Sequence, residues 1–229
     1  MKRLLLLFSI GIVCASPSRA QFVQIGPEIG VNFNKFHTDG YYDDDDYELK
    51  PGLKIGGIID VGFNRMVSFQ PGLFYSMKGS QESYVESYAP GITNHVENDI
   101  KINYLEVPLN LQFKFGHPHR AQFFIGGGPY IAFAMGGEIE HESVLRNSNG
   151  SVVDRDRDDY ELEIGNRADQ DDFKGSDAGI NLNMGIIGHR GFFLRGNMGI
   201  GLSNIIPGGD DNYSAKNFGL GLSIGFLFH

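Results

Sequence analysis

Asp43, Asp44, Asp45 and Asp46, followed by Glu48, form the densest run of carboxylates in the chain. Carboxylate oxygens are the ligands that Ca²⁺ and Mg²⁺ favour, so this run is the candidate loop for a divalent cation. Asp154, Asp156, Asp158 and Asp159 have the alternate spacing of a calcium loop. No glycine stands at its sharp turn, however, and Arg155 and Arg157 interrupt it. A solvated acidic loop is the preferred account of both stretches. His117-Pro118-His119 places two imidazoles in one turn, fewer than the three or four ligands of a zinc site. Gly126-Gly127-Gly128-Pro129 lacks the Lys-Ser/Thr of a phosphate loop. No Ser-His pair stands at an informative spacing. The expectation is a protein that is not an enzyme, with no cofactor and no complete metal site.

Seven other charges stand apart: Glu28, Lys54, Asp60, Lys78, Glu106, Lys114 and Arg195. Each falls inside a stretch where apolar and polar residues alternate, and each is on the polar side. Eight such stretches can be marked, at residues 24–36, 52–64, 66–78, 102–115, 121–135, 178–187, 192–203 and 217–228. A period of two is that of a strand, whose successive side chains leave opposite faces. Nine to eleven tilted strand residues are roughly what a bilayer crossing needs. The fold expected is an eight-stranded antiparallel up-and-down transmembrane β-barrel. Inward charges in so narrow a barrel must be paired or wet. They form either a polar network that plugs the lumen or a narrow channel for ions or small solutes.

The links sort by length and charge. Short turns lie near Asn64-Arg65, at Gly116 to Arg120 and at Gly188 to Gly191. Long links span residues 37–51, 79–99, 136–175 and 204–216. The long links hold 24 of the 28 acidic residues and only seven Lys or Arg, a net charge of −17. The short turns carry Arg65, Arg120 and Arg190 instead. Short periplasmic turns and long extracellular loops are the form of an outer-membrane barrel. The stretch from Arg146 to Asp172 is polar and poor in apolar residues, so no regular structure is expected there. So acidic a chain has no electrostatic footprint for nucleic acid.

Residues 1–20 read as a secretory signal: Lys2 and Arg3, an apolar run from Leu4 to Cys14, and a small-x-small site at Ser18-Arg19-Ala20. The mature barrel domain would be residues 21–229. Cys14, the only cysteine, leaves with the signal, so the mature chain has no disulfide and no Cys-based metal site.

Tyr104-Leu105-Glu106-Val107-Pro108-Leu109 and Phe124-Ile125-Gly126-Gly127-Gly128-Pro129-Tyr130 resemble the PorT-like, "porin family" outer-membrane barrel proteins of Bacteroidetes. Phe69-Gln70-Pro71-Gly72-Leu73 and Tyr75-Ser76-Met77-Lys78-Gly79 resemble the third strand of the same family. The resemblance covers nearly the whole mature chain. It implies residence in outer-membrane lipid and a functionally broad group. The group's name member is associated with type IX secretion, while most members have no assigned activity. Such barrels end on an aromatic residue read by the barrel assembly machinery. Here Phe228 stands one residue inside the end, before His229, and is the expected signal. The role expected is an envelope or surface interaction through the acidic loops. A channel or secretion-associated barrel is the alternative, and an outer-membrane lipid hydrolase a more distant one.

Overall fold

Alternation produces ten strands in the computed structural model, which describes residues 22–39, 47–117, 120–209 and 213–228. They are β1 (Phe22–Asp39), β2 (Tyr47–Glu48), β3 (Lys50–Gly62), β4 (Val67–Ala89), β5 (Ile92–Gly116), β6 (Gln122–Asn147), β7 (Val152–Glu161), β8 (Ser176–Ile187), β9 (Phe192–Gly201) and β10 (Ser214–Phe226). The signal segment 1–20, Asp43 to Asp46 and His119 lie outside the described residues.

Eight strands close a ring in the order β1-β3-β4-β5-β6-β8-β9-β10, with every pair antiparallel and β10 returning to β1. Register partners followed once round from Phe22 run through Gly62, Ser68, Gln112, Gly126, Asn183, Asn197 and Gly221. They arrive at Asn32, ten residues further along β1. That stagger tilts the strands, as closure of a small barrel requires. Closure also removes the sheet edges, whose unpaired N–H and C=O groups could not be satisfied in lipid.

The barrel is inside-out relative to a soluble one. Ile25, Ile29, Val31 and Phe33 of β1 and Leu220, Leu222 and Ile224 of β10 are exposed, while Glu28, Asn32, Asn34 and Ser223 between them are buried. The same sorting runs through the other strands and leaves an apolar belt around the wall. A water-soluble β-barrel would put these faces the other way round.

The β1–β10 seam depends on a missing side chain. A Cβ at Gly30 would lie 2.5 Å from the Leu222 carbonyl oxygen and 2.6 Å from the Ser223 Cβ. Gly30→Ala should therefore destabilise the closed barrel by about 1–3 kcal/mol through overpacking. The check is urea unfolding in lipid vesicles, followed by the gel mobility of the folded form.

Two of the long links differ from the expectation of irregular loops. The link at 79–99 is the β4–β5 hairpin, whose strands continue past the belt to a turn at Pro90-Gly91. In the link at 136–175, β6 runs on to Asn147 and pairs with β7, so much of the stretch from Arg146 is ordered strand. The physical reason is that strands standing in water have two wet faces. They keep cross-strand pairing without an apolar face, and so show no alternation. The β2 strand adds two residues beside β4.

Candidate functional site: the sealed lumen and the outer sheet

The strand period turns all seven singled-out charges inward, from different strands, to the places where they meet. Glu106 of β5 lies between the ammonium groups of Lys54 of β3 (2.9 Å) and Lys78 of β4 (2.8 Å). Lys78 also faces Asp177 of β8 (3.4 Å) and stands 4.4 Å from the centre of the Tyr130 ring. Asp177 accepts further hydrogen bonds from Tyr130 (3.1 Å), Asn217 (3.0 Å) and Ser203 (2.9 Å). Nearer the periplasm, Arg195 of β9 pairs with Glu28 of β1 at 2.8 Å and donates to Gln70. Its guanidinium also lies by the rings of Phe193 and Phe124, at 5.1 and 5.5 Å. Asp60 accepts from Lys114 (2.7 Å), Gln70 (2.6 Å) and Ser68 (3.2 Å).

Opposite partners at contact distance and further hydrogen bonds to the carboxylates make the buried charge tolerable. Among the described residues, Arg195 Nε, Gln112 Oε1, Asn183 Nδ2 and Asn217 Oδ1 are buried without a partner. Neutral side chains add further buried bonds, from Gln112 to Gln70 (3.3 Å) and Asn183 (2.8 Å), Asn181 to Asn110 (3.2 Å) and Asn32 to Ser76 (3.0 Å). The void left beside Lys54, Lys78 and Glu106 is about 30 Å³, room for one or two waters.

Both ends of this network are closed by apolar side chains. On the outer side, Leu162 and Ile205 come in from the links after β7 and β9 and bury themselves against Phe36, Ile102, Tyr104 and Tyr130. The inward fold of these links is held by backbone bonds from Lys174 N to Ile205 O (2.8 Å) and Ile205 N to Ala215 O (2.9 Å). On the other side, Ile58, Phe74, Phe193 and Leu227 form a second cluster. Sequence reading missed Leu162 and Ile205, because single apolar residues in polar links carry no periodicity.

The reading of the sequence as lacking a G-x-S-x-G nucleophile elbow needs correction, since Gly221-Leu222-Ser223-Ile224-Gly225 has that spacing. Its context is wrong for one. The segment is regular strand, and Ser223 Oγ donates to Glu28 at 2.7 Å inside the lumen. The Asp154, Asp156 and Asp158 series lies on one face of β7. Same-face residues of a strand stand roughly 7 Å apart, too far to converge on one ion. Among the described residues, no three His, Cys, Asp or Glu side chains are grouped to hold a metal.

Above the belt, the far halves of β4, β5 and β6 and all of β7 make a four-stranded antiparallel sheet. Ion pairs cross it, with Arg157 on Glu140 (2.8 Å) and Arg155 on Glu142 (3.2 Å). Hydrogen bonding to Glu140, opposed by partial burial and joined by Glu138, pushes Lys101 up to about 12, and Lys101 in turn lowers Glu140. Every residue of β7 is exposed.

The model for the outer membrane protein beta-barrel domain family matches residues 15–207. Solved structures similar to this chain include Ail, the attachment invasion locus protein of Yersinia pestis, at 14% identity over 90% of this chain and 98% of that one, TM-score 0.39. Neisserial surface protein A is similar at 9% identity over 89% of this chain and 97% of that one, TM-score 0.41. CarO2 of Acinetobacter baumannii is similar at 13% identity over 90% and 99%, TM-score 0.38. No curated protein matches the chain in sequence. An apolar belt, a closed antiparallel ring and this family match together place the chain in the outer membrane protein beta-barrel domain family, resident in the bacterial outer membrane.

Proposed function

We propose that this barrel is a non-enzymatic surface protein whose outer sheet meets an envelope or surface partner. The observation that carries the reading is the contrast between lumen and exterior. The lumen is filled by paired charges and closed by apolar clusters at both ends, while the acidic β4–β5 and β6–β7 hairpins stand free above the membrane. A conducting pore needs a continuous wet path, and the small void beside Lys54, Lys78 and Glu106, about 30 Å³ among the described residues, supports a plugged lumen instead. Net negative charge on the hairpins favours a partner with a cationic surface and disfavours polyanions. Divalent-cation binding by the carboxylates Asp43 to Asp46 is a separate proposal within this reading.

In this reading residues 1–20 are a cleaved export signal and the protein falls in the PorT-like group of Bacteroidetes. Phe228 is the aromatic read by the barrel assembly machinery. Its support is positional: the Phe228 N–H donates to Ile25 O at 2.8 Å, and its ring stands edge-on to Phe226 at 4.9 Å.

The test is site-specific photo-crosslinking on intact cells. A crosslinker at the exposed Val153 or Tyr88 should give a discrete protein adduct, and one at Leu222 only lipid. No adduct at either hairpin position, or steady single-channel conductance in planar bilayers, would overturn the proposal.

A further inference from the structure

On the outside of the wall, where β6 parts from β8 and takes up β7, a depression of about 370 Å³ opens just above the lipid belt. That volume is within the range of small-ligand pockets. Two successive rows of register partners build it. Met77, Asn103 and Gly136 form the lower row, and Lys101, Glu138 and Glu161 the upper. The floor is bare because a Cβ at Gly136 would meet nothing within 4 Å. The next row down is Tyr75, Leu105 and Phe133, which belongs to the apolar belt. An occupant therefore sits at the depth of the outer-leaflet headgroups.

The lining selects its chemistry. The Lys101 ammonium is already taken by Glu138 (2.9 Å) and Glu140, so a phosphate finds no free cation and faces carboxylates. An acyl chain would strip water from four polar side chains and give nothing back. Glu138 and Glu161 stand directly opposite, a like-charge pair that hydroxyl donors would relieve. A polyhydroxylated ring meets all of these conditions. Its hydroxyls donate to the two carboxylates and accept from the Asn103 amide, while Met77 offers apolar surface to the ring's C–H face.

We infer that this depression binds the saccharide headgroup of an outer-leaflet glycolipid, a lipid site separate from the surface-partner role and independent of it. Native mass spectrometry of the full barrel tests it, with a neutral monoglycosyl diacylglycerol against phosphatidylglycerol of the same chain length. The glycolipid should be retained about tenfold better, the equivalent of one or two hydrogen bonds. The preference should vanish in Glu161→Leu and in Asn103→Leu, two changes on the outer surface, with the folded gel mobility kept. Equal retention of the two lipids, or a preference unchanged in both variants, overturns the site. Displacement of the glycolipid by millimolar free sugar of the same headgroup would overturn the lipid source and leave a soluble saccharide in its place.

Discussion

Glu106→Leu destabilises the folded barrel by about 3–5 kcal/mol, the range for removing one partner from a buried ion pair. The carboxylate is within 3 Å of two ammonium groups, and both lysines are nearly inaccessible to solvent. With Glu106 gone, Lys78 keeps Asp177, but Lys54 has no other carboxylate at salt-bridge distance among the described residues. Its ammonium would face the Phe74 ring, 4.5 Å away, and a small wet void. The double variant Lys54→Met/Glu106→Leu removes the orphan charge and should recover more than half of the loss, because Lys78–Asp177 survives as a pair. The protein has no tryptophan, so the measurement is urea unfolding in lipid vesicles read by the gel mobility of the folded barrel. A single-variant loss under 1 kcal/mol, or a double variant no better than the single, would show that water reaches the network and screens it.

The barrel was legible because its two faces obey different solvents. Lipid outside and a polar lumen inside force a strict period of two, and the eight strands follow from it with ends shifted by up to three residues, except that β4, β5 and β6 each run on by ten to twelve residues into the outer hairpins. Parity also assigned the inward side of Glu28, Lys54, Asp60, Lys78, Glu106, Lys114 and Arg195. Their partners were not legible, since a register between strands far apart in sequence sets whether Lys78 meets Glu106 or Asp177. Neutral members such as Tyr130, Ser203 and Asn217 give no signal of their own. The outer hairpins escaped for the opposite reason. Tyr84 and Val85 have strand propensity, yet both are exposed and no continuous apolar side marks their strand. Their order comes from cross-strand pairing that begins on the barrel and continues off it, as at Glu82 and Asn98 (3.1 Å) or Arg157 and Glu140.

Leu222→Arg separates a membrane barrel from any soluble alternative. Leu222 lies near the middle of β10, is 54% exposed, and has Leu220 and Ile224 on either side along the same outward face. A cation at the midplane of a bilayer should reduce the stability of a transmembrane barrel by about 2–4 kcal/mol. In water the same change would remove an exposed leucine and alter stability by no more than about 0.5 kcal/mol, as surface substitutions do. Val153→Arg is the internal control. It is just as exposed but lies on β7 above the belt, so its effect should stay within that smaller range. Refolding into phosphatidylcholine vesicles reads both variants under the same conditions. Equal effects at the two positions would mean that lipid does not surround β10, and would overturn the membrane depth assigned to the belt. A large loss at Leu222 alone ties the apolar face to the bilayer and leaves the hairpins in water. The same lipid boundary then lies just below Lys101 and Asn103, at the depth the depression requires.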